Sequence, residues 1–187
     1  MTFEWVPFSE VDDSLLHEFK SGVEQYDGFL HNDARQWALK SESVTYVCVD
    51  GEEVKDKSYK RVYGFAALNT TGLLYHEGDK KRQLTCAEIR LFAISHVMRK
   101  RHDQTITWSD DMFKSLLQML YVMSTKTIGF KGIFLNSNEF GYSLYKRNGF
   151  TEISDYIVPD EDDKLEIENC TPLLLLINDE MLYDIYS

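Results

Sequence analysis

A chain of 187 residues with 43% apolar and 13% aromatic side chains can close one sizeable core, and its length predicts a single domain over residues 1–187. A formal net charge of −11 disfavours nucleic acid as a partner, because that affinity rests on neutralising phosphates. No uncharged apolar run of about 18 residues, no secretory signal and no metal-site spacing among Cys48, Cys86 and Cys170 together predict a cytoplasmic protein with reduced thiols, no membrane contact and no metal.

Residues 1–7 alternate apolar and polar side chains, as in a first strand that Pro7 stops. Ser9 is placed to cap a short helix running through Leu15, Leu16 and Phe19, and Gly22 punctuates it. Tyr26, Phe29, Leu30, Ala34, Trp37 and Ala38 recur at the three- and four-residue spacing of a helix with one apolar face. Residues 43–50 are rich in β-formers and predict a strand; 51–60 read as a charged, exposed connection and 61–69 as the partner strand. Gly64 would allow a bulge or a close backbone approach in that strand. Residues 70–84 show little periodicity and carry five charges between Glu77 and Arg82, which predicts a loop.

The central strand is expected at 87–96, where Leu91, Phe92, Ala93 and Ile94 form a run suited to burial on both faces. Glu88 lies three residues upstream of that run, and the densest basic cluster, Arg99-Lys100-Arg101-His102, follows it. An acid near one end and cations past the other suggest a site for an anionic ligand; a core strand with a solvated loop is the plainer alternative. Ser109 as N-cap, with Asp110 and Asp111 in the first turn, opens the next helix. Met112, Phe113, Leu116, Leu117, Leu120, Tyr121 and Met123 make its apolar face.

A short buried strand at 132–136 precedes a helix at 139–147 that stops at Asn148-Gly149. Residues 150–158 are strand-like, 159–168 an acidic loop and 173–177 a last buried strand. From residue 155 onward there are ten acids and one lysine, so the first 154 residues are close to neutral. Strands mixed with helices, the longest helix crossing between two apolar strands, give an α/β sheet with a crossover. Ligands in such sheets collect where a strand end meets a helix N-terminus, here the end of 87–96 and Ser109.

Three stretches carry a family resemblance over residues 19–177. Ala87-Glu-Ile-Arg-Leu-Phe-Ala-Ile-Ser95 is similar to the fourth strand of the Gcn5-related N-acetyltransferase superfamily, closely in its histone-acetylating form. Asn138-Glu-Phe-Gly141-Tyr-Ser-Leu-Tyr145-Lys-Arg-Asn-Gly149-Phe150 resembles the family's late motif: Asn, a small residue three on, an aromatic seven on, then Gly-Phe. Phe19-Lys-Ser-Gly22, followed by Tyr26-Asp-Gly-Phe29-Leu30 and Ala34, looks like the opening helices of a bacterial subgroup that includes aminoacyl-tRNA-acetylating toxins.

The resemblance implies an α/β (α+β) fold, with a mixed, mostly antiparallel sheet flanked by helices and splayed at the fourth and fifth strands. It implies acetyl-CoA as co-substrate and direct acetyl transfer to a primary amine, with a homodimer allowed. Phe92, Ala93 and Ile94 would meet the pantetheine arm through main chain, and Asn138 through its side-chain amide. Glu88 falls where histone-acetylating members place a general base, and Tyr145 where many members keep the tyrosine that protonates the departing thiolate. Taken alone, Glu88 could instead pair with a lysine or with Arg90, Tyr145 could fill a core and Asn138 could cap a helix.

In one respect the chain departs from the family. The Arg/Gln-x-x-Gly-x-Gly/Ala turn that cradles the CoA diphosphate is absent, since residues 99–111 contain no glycine. Arg99, Lys100 and Arg101 are the candidates to hold the diphosphate by charge, and Asp110 and Asp111 oppose it. Two other readings therefore stand beside the enzyme: a catalytically degenerate acetyltransferase fold acting as a binding module, and an aminoacyl-tRNA-acetylating toxin.

Overall fold

The computed structural model describes residues 2–99, 107–153, 156–157 and 170–177. Lys100, Arg101 and the acidic stretch 159–168 lie outside the described residues. The strands are β1 (Phe3–Pro7), β2 (Val44–Asp50), β3 (Gly64–Glu77), β4 (Lys80–Ile94), β5 (Gly132–Ser137), β6 (Thr151–Glu152), β7 (Tyr156–Ile157) and β8 (Thr171–Leu176). Their hydrogen-bonded order is β1–β2–β3–β4–β5–β8–β6, with β7 beside β3. β4 and β5 pair parallel, whereas β1–β2, β2–β3, β5–β8 and β6–β8 pair antiparallel, so the sheet is mixed and mostly antiparallel as expected. The helices are α1 (Asp13–Glu18), α2 (Glu24–Gly28), α3 (Ala34–Leu39), α4 (Gly51–Val54), α5 (Trp108–Lys126) and α6 (Glu139–Arg147).

The loop expected at 70–84 is not there. β3 runs on to Glu77, turns through Gly78 (φ 59°) and Asp79, and returns as β4 from Lys80. The charges sit at the tip of this hairpin, where water solvates them. Leu73 and Tyr75 on one strand and Leu84 and Cys86 on the other carry the period-two pattern that joins it to the core. The connection 51–60 contains α4, capped by Asp50, whose carboxylate accepts from the Glu52 N–H at 3.2 Å. The strand expected at 61–69 starts at Gly64, and the described residues of 150–158 include two short strands, β6 and β7. The helix expected across 26–38 is present as α2 and α3 joined by a π-helical segment, Phe29–Asp33.

Contacts divide the chain into two units. The first is Met1–Asn69 with Arg90–Met119. In it Trp5 stands opposite Cys48, and Val6 and Phe65 flank Val47. Neighbouring strand residues face opposite ways, so these rows serve two layers. On one, Phe19 and Phe29 pack against Phe65 with ring centroids at 5.6 and 5.7 Å, and Trp37 packs on Phe29. On the other, the Trp5 indole N–H donates to Ser115 Oγ of α5 at 2.8 Å. Val47, Phe65, Met112, Phe113 and Leu116 are fully buried, the last three on the apolar face of α5 that the periodicity predicts.

The second unit is Thr70–Ile89 with Leu120–Ser187. Leu73, Leu84, Cys86, Phe134 and Leu174 form its core, with Tyr75 and Ile153 against it. Six register pairs from Gly132↔Leu176 to Ser137↔Thr171 join β5 to β8. Helix α6 ends at Asn148, and Gly149 follows at φ 86°, the left-handed stop that the sequence signals.

Candidate active site

Strand β4 carries the first group of candidates. Its parallel ladder with β5 has three register pairs, Cys86↔Gly132, Ala87↔Ile133 and Glu88↔Phe134. The ladder ends there, although β4 continues to Ile94 and β5 to Ser137. This is the splay of the fourth and fifth strands that the resemblance implies. Glu88 sits at the last pair, 6% exposed. Four residues after its partner Phe134, the chain reaches Asn138.

The end of β4 does not alternate regularly. Arg90 lays its guanidinium over the Trp37 ring at 5.1 Å, on the layer of α3. Phe92 packs edge-on against Phe113 of α5 at 5.2 Å and lies 6.3 Å from Trp5, on the opposite layer. Residues two apart on a regular strand share a face, so the pleat is broken between Arg90 and Phe92, as a bulge breaks it. Ala93 is buried, and its carbonyl would lie 2.9 Å from a Cβ on Gly64. Gly64 is therefore the close backbone approach that the sequence allows, beside Ala93 and Ile94 of β4. Arg99 ends a short 3₁₀ turn, His96–Arg99.

The start of α5 differs from the expected one. The helix begins at Trp108, and Thr107, not Ser109, supplies the cap. The Thr107 hydroxyl donates to Asp110 Oδ2 at 2.6 Å, and the same oxygen accepts the Thr107 N–H at 3.3 Å. The Asp110 N–H in turn reaches Thr107 Oγ1 at 3.4 Å and the Thr107 carbonyl at 3.0 Å. This is a reciprocal capping box with Asp in the usual Glu position. Helix N-termini attract anions through free N–H groups and a positive dipole end; here a buried carboxylate of the chain itself fills that role. Phe3 packs edge-on against Trp108 at 5.4 Å and anchors this end.

Helix α6 brings Asn138 and Tyr145 together. Asn138 is its N-cap, with Oδ1 accepting from the Gly141 N–H at 2.9 Å. Tyr145 is buried and its ring lies over Gly141, so close that a Cβ there would meet its Cε2 at 2.7 Å. One residue beyond Gly141, the exposed Tyr142 hydroxyl donates to Glu152 Oε1, and this bond holds the phenol above its ordinary titration range.

A pocket of about 190 Å³ in the first unit was not legible in the sequence. It is lined by Phe19 and Val62 and by Glu18, Lys20, Arg61 and His96. Both the backbone N–H and Nδ1 of His96 lie 2.9 Å from the Lys20 carbonyl oxygen. A carbonyl can only accept, so Nδ1 carries the hydrogen of this bond. Lys20 and His96 stand 76 positions apart in the chain, and no local motif announces the pocket they share. Among the described residues no three His, Cys, Asp or Glu side chains converge as a metal site, and no helix is long and apolar enough to cross a membrane.

No protein-family model matches the chain, and no curated protein matches it by sequence. Solved structures match over nearly its whole length. One, described as a bacterial toxin, shares 13% identity at a TM-score of 0.71, covering 99% of this chain and 96% of its own. AtaTR bound with AcCoA shares 15% identity at 0.69, covering 100% and 99%. AtaT complexed with acetyl-methionyl-tRNAfMet shares 14% identity at 0.67, covering 99% of each chain. The chain therefore shares the fold of these solved structures. The expectation that nucleic acid is disfavoured gains no support from these neighbours, since one holds a tRNA and another similar structure is a KacTA–DNA complex.

Proposed function

We propose that the protein is an acetyl-CoA-dependent N-acetyltransferase acting on a primary amine. The observation that carries the reading is the arrangement on α6, where Asn138 caps the helix and the Tyr145 ring lies back over its first turn. Neighbours solved with AcCoA, and tyrosine-to-phenylalanine mutants of two of the similar toxins, add weight to it. When bound, acetyl-CoA supplies an activated thioester. The main chain at Phe92, Ala93 and Ile94 and the amide of Asn138 are assigned to its pantetheine arm. Glu88 takes the proton of the attacking amine, directly or through water, as the new C–N bond forms. The Tyr145 hydroxyl gives its proton to the sulfur that leaves.

The diphosphate half of the co-substrate does not fit the start of α5, where the Asp110 carboxylate already closes the helix end. Arg99, Lys100 and Arg101 are its proposed counter-charges.

Among amines, the α-amine of an aminoacyl-tRNA is supported by AtaT complexed with acetyl-methionyl-tRNAfMet. The acidic stretch after residue 155 favours small cationic amines instead. Release of CoA thiol with spermidine, an aminoglycoside, a lysine peptide and methionyl-tRNA separates them. Amine-dependent release with one of these is expected. A folded protein that releases no thiol with any of them would leave the second reading, a binding module, which the capping box on α5 favours.

A further inference from the structure

We propose that Gly141 is a positioning residue that sets where the Tyr145 hydroxyl stands. The proposal rests on the reading of Tyr145 as the proton donor. Helical side chains lean towards the N-terminus of their helix and cover the turn before their own Cα. Tyr145 therefore lies over Gly141, one turn earlier. A Cβ on Gly141 would fall 2.7 Å from Cε2 and 3.2 Å from both Cζ and the hydroxyl oxygen.

Gly141 cannot retreat from that contact. Its N–H is held by Asn138 Oδ1 at 2.9 Å, which fixes the first turn. The ring also lies against Phe150, with centroids 6.0 Å apart, and Phe150 is 1% exposed. A methyl group at 141 would meet the hydroxyl end of the tyrosine rather than backbone, so the ring must swing and carry its oxygen with it. The small residue of the motif thus does more than let the helix start: it leaves the space in which the phenol rests. Alanine is a better helix former than glycine, so the change moves the hydroxyl without weakening α6.

The test compares Gly141→Ala, Tyr145→Phe and the double variant. In the free parent protein, a nuclear Overhauser contact between Gly141 Hα and the Tyr145 ring edge is expected. The Hα at position 141 loses or weakens that contact in Gly141→Ala, while the protein remains folded. With whichever amine of the panel is turned over, Gly141→Ala lowers kcat about 10- to 100-fold, leaves KM for acetyl-CoA unchanged, and has no further effect in the Tyr145→Phe background. A kcat within twofold of the parent, while Tyr145→Phe is impaired, overturns the role of Gly141 and leaves that of Tyr145 standing. An equal loss in the Tyr145→Phe background overturns it too, because the effect would not pass through the hydroxyl. Full activity in Tyr145→Phe, or no turnover of any amine, overturns the reading of Tyr145 and this proposal with it.

Discussion

Cys86 and Gly132 face each other across the β4–β5 ladder so closely that a Cβ on Gly132 would lie 2.9 Å from the Cys86 sulfur. The same Cβ would lie 2.9 Å from Leu174 Cδ1, so it is crowded from both neighbouring strands. Both side chains are buried and cannot give way freely. Gly132→Ala is therefore expected to destabilise the protein by about 1–3 kcal/mol through overpacking. Thermal unfolding followed by circular dichroism reads this as a drop of about 2–4 °C per kcal/mol. An unchanged melting temperature would mean that β5 can shift along β4, and that Glu88 is not held in a fixed register.

The capping box between Thr107 and Asp110 gives a second expectation. If the co-substrate diphosphate comes near the start of α5, the Asp110 carboxylate repels it. Asp110→Asn keeps an acceptor for the Thr107 hydroxyl and removes the charge, so affinity for acetyl-CoA should rise about two- to fivefold. Calorimetric titration of the two proteins measures it. Equal affinities would place the diphosphate away from this helix end.

Glu88 and Tyr145 divide the proposed proton transfers. Glu88→Gln and Tyr145→Phe should each lower turnover about 10²–10⁴-fold while leaving KM for acetyl-CoA nearly unchanged. A carboxylate base acts only when deprotonated, so the limb on which the parent's rate rises with pH should disappear in Glu88→Gln. A rate–pH profile of the variant that keeps this limb would assign the base elsewhere.

The buried thiols set an alkaline limit to stability. Burial pushes Cys86 from 9.0 up to about 12, and burial, with Glu4 and Asp50 nearby, pushes Cys48 well above its ordinary value. Above pH 9 the unfolded chain releases these protons while the folded chain keeps them, so the unfolded state binds fewer protons and stability falls as pH rises. One such thiol lowers the folded-to-unfolded ratio by at most about tenfold per pH unit. Urea unfolding from about pH 8 to about pH 10.5 should show the decline, and Cys86→Ala should flatten it. Neither thiol should react with alkylating agents in the native protein, because the thiolate is the nucleophile.

Much of the fold was legible in the sequence where one period dominates. Met112, Phe113, Leu116 and Leu117 repeat at helical spacing and are buried on α5; the β-formers of 44–50 make β2. The hairpin at 70–84 was not legible, because its charged tip masks the alternation of Leu73, Tyr75, Leu84 and Cys86. Ser109-Asp110-Asp111 has the composition of a helix cap, yet the true cap of α5 depends on a bond from Thr107 to Asp110 that composition does not reveal. On α6 the motif shows in the spacing of Asn138, Gly141 and Tyr145. The reason for the glycine does not, since only the ring's position reveals what a side chain there would meet. The break in the pleat between Arg90 and Phe92 likewise depends on which helix each side chain reaches.

The central claim is that this chain uses acetyl-CoA although the glycine-rich diphosphate turn is missing. Calorimetric titration of the purified protein with acetyl-CoA, repeated with Arg99, Lys100 and Arg101 changed to alanine, tests it most directly. The account predicts saturable binding with a micromolar dissociation constant, weakened by the triple change. No binding at millimolar acetyl-CoA would contradict it and leave a fold that has kept its shape without its chemistry.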